Sequence, residues 1–256
     1  MHNTITIRNR TFGEGKPWII VPIVGGRRED ILSKAKEISV LALDMVEWRA
    51  DFYEDVFDAS AVTDTLSALN EALGEIPLLF TFRTKSEGGE KAILPGDYTR
   101  LNLAVAKSNL ADAVDVEIMA GDALVSHLIA GIRDEGARVV ASNHDFYATP
   151  GKDEIIRRLV KMQDMGADVL KIACMPQSAA DVLTLMSAVN EMTATLAKKP
   201  VVAMSMAAQG VLSRVAGEVF GSAMTFGAVG ATSAPGQIPV DELRSALDII
   251  HKSMKA

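Results

Sequence analysis

The chain has 256 residues, enough for one large domain, and its 48% hydrophobic and 23% charged residues are the balance of a globular protein in water. A formal net charge of −7 without any Lys/Arg block argues against a nucleic-acid partner, and one cysteine, Cys174, excludes an intrachain disulfide or a CxxC site. The opening MHNTITIRNRTFGEGK lacks the apolar stretch of a signal peptide, and no apolar run approaches the ~20 residues that cross a bilayer, so a cytoplasmic protein with no membrane partner is expected.

In chain order, TITIRNRTFGEG alternates as a hairpin does, and short apolar runs then alternate with longer stretches of helical periodicity. The expected strands are 18–23 (WIIVPI), 45–50 (MVEWRA), 77–82 (PLLFTF), 113–118 (AVDVEI), 138–143 (RVVASN), 168–173 (DVLKIA), 200–205 (PVVAMS) and 222–227 (SAMTFG). Segments such as REDILSKAKEIS, SAVTDTLSALNEAL and KDEIIRRLVKMQDMG lie between them as helices, with Asp30 and Ser60 fitting N-caps and Gly74 and Gly166 fitting helix stops. Repeated βα units without a linker rich in Ser, Pro or charge predict an α/β fold, a (β/α)8 TIM barrel forming a single domain over residues 1–256, its floor closed by the N-terminal β-hairpin. A doubly wound sheet is the alternative; it often carries a Gly-rich nucleotide turn, and VGGRRED lacks the G-x-G-x-x-G spacing.

Strands of a parallel barrel are apolar on both faces, so the polar exceptions are informative. Val46 and Trp48 alternate with Glu47 and Arg49, the period of two setting carboxylate and guanidinium side by side. Phe80 and Phe82 alternate with Thr81 and Arg83, and Glu87 follows in a loop. Ser142 and His144 share a face, and Lys171 is in phase with Val169 and Ala173 while Leu170, Ile172 and Cys174 fill the opposite face. Each charge falls late in its strand or just beyond, at the end where barrel enzymes build their sites, and later loops add Arg214, Ser233 and Gln237. Taken singly, each has a plainer reading. Lys171 could reach solvent at its strand end, Glu47 and Arg49 could be an ion pair at the mouth, and His144 could be a satisfied loop histidine. Met204 and Met206 read as core filler and Cys174 as a small apolar core residue. Convergence of these strands on one rim is what solvation does not explain. The histidines have no HxH or HExxH spacing and no GK[ST] follows a Gly-rich loop, so neither a metal nor a nucleotide cofactor is expected.

One Lys, one His, two Glu and three Arg without a cofactor suit covalent catalysis through an imine. A lysine attacks a ketone only as the neutral amine, which at an ordinary pKa is about 0.04% of the population at pH 7. Dry surroundings and nearby guanidiniums favour that form, whereas Glu47 and Glu87 oppose it unless the arginines or His144 engage them. Once formed, the protonated imine acidifies the adjacent carbon for a histidine base, and arginines grip a carboxylate by two parallel bonds. An anionic, hydroxylated keto acid is the substrate this set fits.

The ordered set EWR, TFR…E, SNHDF, LKIA.MP, SR.AGE.FGSA.TFG and SAPGQ resembles type I 3-dehydroquinate dehydratase, a Schiff-base lyase of the shikimate pathway that leads to chorismate and the aromatic amino acids, across essentially the whole chain. The resemblance implies a cofactor-free, metal-free homodimer that eliminates water from 3-dehydroquinate in the syn sense to give 3-dehydroshikimate. It implies that Lys171 forms the imine, that His144 moves the proton and that Glu87 orients His144. Arg214 would clamp the carboxylate, Glu47, Arg49 and Arg83 would hold the ring hydroxyls, and Ser233 and Gln237 would ride on a loop that closes over substrate. Met204, Met206 and Phe226 would line the walls. A class I aldolase shares barrel and lysine but often takes phosphorylated sugars, and no clear phosphate cradle follows the last two strands. A non-catalytic barrel would tolerate loss of the lysine or histidine; this chain keeps both.

Overall fold

A computed structural model describes residues 3–230 and 236–255. Its first elements are β1 (Ile5–Ile7) and β2 (Arg10–Phe12), an antiparallel hairpin with Ile5 opposite Phe12. Parallel strands then alternate with helices: β3 (Trp18–Ile23), α1 (Arg28–Ile38), β4 (Met45–Arg49), α2 (Ala59–Leu73), β5 (Leu78–Thr81), α3 (Pro95–Ser108), β6 (Ala113–Glu117) and α4 (Asp122–Asp134). The series continues with β7 (Arg138–Asp145), α5 (Lys152–Asp164), β8 (Val169–Cys174), α6 (Ala179–Glu191), β9 (Val201–Ser205), the short α7 (Val211–Val215) and α8 (Gly217–Phe220), β10 (Met224–Ala228), the two-residue β11 (Ile238–Pro239) and α9 (Val240–Met254).

The sheet runs β11-β10-β3-β4-β5-β6-β7-β8-β9, each strand parallel to the next. It closes where β9 meets the approach to β10: Val201 bridges Ser222, and the Ala223 amide donates to the Val201 carbonyl at 2.8 Å. The result is the expected (β/α)8 TIM barrel.

Period-two alternation divides the apolar residues into two cores. Outward residues such as Ile19, Val46, Trp48, Phe80, Val114, Leu170 and Ile172 pack against the buried stripes of the helices. Inward residues form a second cluster in which Ile7 and Phe12 of the hairpin join Ile20, Met45, Leu79, Val140, Val169 and Val202. The hairpin therefore closes the barrel floor, as its alternation predicts.

Helix ends follow local chemistry, with two corrections. The α2 N-cap is Asp58, whose carboxylate accepts from the amides of Ser60 and Ala61, because a cap must precede the first turn and Ser60 already lies inside it. Asp30 sits within the first turn of α1, where a negative charge suits the helix dipole, and Arg27 is the residue before that turn. Gly74 and Gly166 do end their helices, at φ 55° and 92°.

Strand β7 runs two residues beyond the expected 138–143. Its last residues stay in the ladder, His144 opposite Ala173 and Asp145 opposite Cys174, so His144 is held by a sheet and not by a loop.

Candidate active site

Above the apolar floor, the inward positions of the same strands become charged. Lys171 on β8 is 3% exposed, its neighbours Leu170 and Ile172 facing the helices. Its Nζ stands 3.5 Å from Glu47 Oε1 of β4 and 3.5 Å from Asp115 Oδ2 of β6, and 4.8 Å from the centre of the Phe226 ring on β10. The guanidinium-rich surroundings expected for this nitrogen are not what touches it. The charged groups in contact are carboxylates, because β4 and β6 each present an acid at the inward position of that level.

The guanidinium of Arg83 sits beyond these acids and is itself caged. It lies 2.8 Å from Asp115 Oδ1, 2.8 Å from Glu117 Oε1 and 3.7 Å from Glu87 Oε2, and it donates to Ser142 Oγ at 3.0 Å. Burial alone would weaken its hold on the proton, but these carboxylates outweigh burial and raise its pKa well above the ordinary value. Burial likewise pushes Asp115 up, yet Arg83, Lys171 and the Ser142 hydroxyl together hold it below its ordinary value. Arg49 is paired with Asp51 in two parallel 2.8 Å bonds, so it does not partner Glu47; Glu47 instead accepts from Thr81 Oγ1 at 2.9 Å.

Glu87 follows β5 in a short turn, Lys85–Glu87, and is 5% exposed. One oxygen accepts from the His144 backbone amide at 2.9 Å and lies 3.0 Å from His144 Nδ1; the other accepts from Asn143 Nδ2 at 3.2 Å. Burial pushes its carboxyl up to about 7, against the pull of Arg83 and the Asn143 bond. Burial, then Arg83, Lys171 and Arg49, hold His144 well below its ordinary value, so the ring is neutral at pH 7.

A cavity of about 260 Å³ collects these groups. Glu47, Arg49, Arg83, Glu87, His144, Lys171, Met204, Met206, Arg214, Phe226 and Gln237 all line it, together with Gly88, Phe146 and Ala173. Of the residues singled out in the sequence, Ser233 alone lies outside the described residues. Met204 and Met206 face the inner core and the cavity at once. Burial lowers the pKa of Arg214 from its ordinary value.

Asp115 and Glu117 went unremarked in the sequence, as did Asp51 and Asn143. The first two were readable: AVDVEI alternates Asp115 and Glu117 with Val114 and Val116, the same pattern as Glu47 and Arg49. Among the described residues no group of three or more His, Cys, Asp or Glu is placed to hold a metal ion, and no helix is long and apolar enough to cross a membrane.

A closed barrel whose strand ends converge on a buried lysine and a histidine–carboxylate pair defines a class of sites suited to covalent carbonyl chemistry. The particular family follows from comparison with known proteins. The sequence model of the type I 3-dehydroquinase family matches residues 19–254, and the chain belongs to that family. A 3-dehydroquinate dehydratase of Clostridium botulinum (strain Eklund 17B / Type B) is 49% identical over 254 residues, 99% of this chain and 100% of the relative. Among solved structures, the type I 3-dehydroquinate dehydratase of Clostridium difficile with covalent modified comenic acid superposes with a TM-score of 0.96 at 47% identity, covering 99% of this chain and 100% of that one. The 3-dehydroquinate dehydratase of Geobacillus kaustophilus HTA426 does so with 0.95 at 36% identity, covering 98% and 99%.

Proposed function

We propose that the protein dehydrates 3-dehydroquinate to 3-dehydroshikimate, as a hydro-lyase working through a Schiff base on Lys171. The observation that carries the reading is a buried amine flanked by two carboxylates in a cavity that also holds the His144–Glu87 pair. The neutral amine attacks the ketone carbon; the adduct takes up one proton from solvent and loses water to leave a protonated imine. That cation would lie between Glu47 and Asp115, fixed negative charges already in place to stabilise it. His144, neutral at pH 7 and with Nδ1 directed to Glu87, takes the proton from the carbon next to the imine. The electron pair moves onto the imine nitrogen, giving an enamine. Its return expels the hydroxyl, which leaves as water with the proton carried by His144, and a second water hydrolyses the imine to free Lys171.

Substrate binding follows from the same walls. Arg214 holds the ring carboxylate, Arg49, Arg83 and Glu47 hold the hydroxyls, and Met204, Met206 and Phe226 exclude water. Gln237 borders the mouth, and Ser233 belongs to the same segment of sequence. The relative solved with covalent modified comenic acid supports covalent capture in this family. The family likeness also supports a homodimer, checked by sedimentation.

Incubation with 3-dehydroquinate and borohydride reduces the imine to a stable amine, so peptide mapping is expected to place the added mass on Lys171, alongside appearance of the ultraviolet-absorbing enone in untreated protein. Label on any other residue, or release of an aldehyde in place of the enone, ends the reading.

A further inference from the structure

Asn143 is 3% exposed and lies on β7 between Ser142 and His144, with its side chain between Glu87 and helix α5. An amide of this kind has two faces of similar shape and opposite chemistry, a carbonyl that accepts and an NH2 that donates. Which face meets Glu87 is decided by what stands on the other side. There Arg158 of α5 donates from Nη1 to Asn143 Oδ1 at 2.8 Å. A guanidinium has donors and no acceptor, so it fixes the carbonyl toward itself and leaves only the NH2 for Glu87, which receives it at 3.2 Å. Arg158 is held in turn: its Nε donates to Glu154 Oε1 at 2.8 Å, and Asp145 Oδ2 lies 3.5 Å from Nη1. A neighbouring cavity of about 530 Å³ is bordered by Arg158 and Asn143 and shares Glu87 and His144 with the first cavity, though not Lys171.

We propose that Arg158 is a positioning residue for the dehydration: by holding the Asn143 carbonyl it turns the Asn143 NH2 onto Glu87, and so keeps the Glu87–His144 pair ready to accept a proton from substrate. The inference rests on the functional reading above. An amide donor favours the ionised carboxylate, whereas a flipped amide would offer Glu87 an acceptor that only the protonated acid can use. The other charges facing Glu87 are Arg83 after β5, Asp115 and Glu117 on β6 and the His144 ring on β7, while Arg49 and Lys171 act on His144. None of these fixes the amide. Removing Arg158 leaves Glu87 alone to orient the amide, so the flipped form with a protonated Glu87 is no longer excluded.

Arg158→Met keeps the length of the side chain and deletes the donor. The acid limb of its kcat/KM profile is expected to move up by about one pH unit. At pH 7 kcat is expected to fall severalfold while KM stays within about twofold. Arg158→Lys, which retains a donor, restores at least half of the shift. Asn143→Asp, a carboxylate of the same shape with nothing to donate, moves the limb the same way and further, and carries the test if the methionine variant does not fold. Arg157→Met is the control: Arg157 pairs with the same Glu154 but is exposed, and its profile should superimpose on the parent's. A lowered melting temperature with an unmoved acid limb in Arg158→Met, or an unmoved limb in Asn143→Asp, overturns the proposal while leaving the dehydratase reading intact. A parent protein that leaves 3-dehydroquinate unchanged removes both.

Discussion

At Glu87, burial raises the carboxyl to about 7 while the adjoining His144 is held neutral by burial and by Arg83, Lys171 and Arg49, so the two members of one hydrogen-bonded pair respond to acid in opposite ways. A folded pKa above the unfolded value means that Glu87 takes up a proton on folding between about 4.5 and 7; its contribution to stability is complete below the lower figure and is lost as pH rises through the upper one. The folded pKa of His144 lies below its unfolded value, so its contribution is present above 6.5 and is lost as pH falls. Just below pH 6.5, where His144 begins to lose its contribution while that of Glu87 is still growing, the slopes oppose each other. Glu87→Gln deletes one slope and keeps the other. Its stability deficit relative to the parent should therefore grow on going from pH 7 to pH 5, by about 2 kcal/mol, as read from urea midpoints at the two pH values. A deficit that shrinks with acid would show that Glu87 is ionised throughout. Much of this site was legible in the sequence because a charge in phase with apolar strand residues stands out, as Lys171, Arg83 and His144 do. What was not legible is who pairs with whom: Glu47 and Arg49 share a face, yet each finds its partner elsewhere, in Thr81 and Asp51, since pairing across a barrel depends on strand register and loop return.

The turn after β5 must bring Glu87 back over the barrel mouth, and it does so by folding tightly on itself. The Gly89 amide donates to the Thr84 carbonyl at 2.8 Å, the Lys85 amide to the Lys91 carbonyl at 3.1 Å, and Asp51 Oδ2 accepts from the Glu90 amide at 3.1 Å. At Gly89 the chain passes so close to the end of β5 that a Cβ would fall 1.9 Å from the Arg83 carbonyl oxygen, which is backbone and cannot swing aside. Gly89→Ala should displace the segment that carries both Arg83 and Glu87. A shift of about 1 Å at reacting groups costs roughly a hundredfold in rate, so kcat for dehydration is expected to fall on that scale, with only a modest loss of melting temperature because the turn is at the surface. A rate within twofold of the parent would mean that the turn absorbs the methyl without moving Glu87. Elements of this kind escape the sequence. Repeated apolar runs made the barrel strands visible to within a residue or two, whereas the Gly-rich loop carries no periodicity, and its shape comes from contacts with Asp51 and Thr84 that only the folded chain supplies. Strand β7 overran its expected end for a related reason: His144 and Asp145 are polar, but β8 offers them ladder partners in Ala173 and Cys174.

On the scale of the whole barrel, charge and grease are sorted along the axis. The upper inward positions hold Glu47, Asp115, Lys171 and Arg83, and the lower ones are apolar and in contact with the hairpin. A barrel interior of this size is filled with side chains, and its open lower end would expose that apolar layer to water. The hairpin prevents this. Phe12 is fully buried, meets the Trp18 ring edge-on with centroids 5.0 Å apart, and packs with Ile7 into the inner core. Arg8 anchors the plug to the strand bases through Asp112, at 2.8 Å, whose other oxygen caps the start of β5 by accepting from the Leu78 amide at 2.8 Å. Floor and upper cavity thus sit at opposite ends of one column, with packed side chains between them. Phe12→Ala should cost about 3–5 kcal/mol of stability, the range for removing a buried aromatic ring. In a chain of this length that lowers the melting temperature by roughly 10 °C. At 25 °C, where the variant is still folded, kcat should stay within about twofold of the parent, because the deleted ring packs on Trp18 in the hairpin-closed floor and is not among the residues that line the upper cavity. A thermal scan and a steady-state assay on the same sample decide it: an unchanged melting temperature would mean the hairpin is not a structural plug, and a collapse of kcat in folded protein would mean the floor influences the upper cavity.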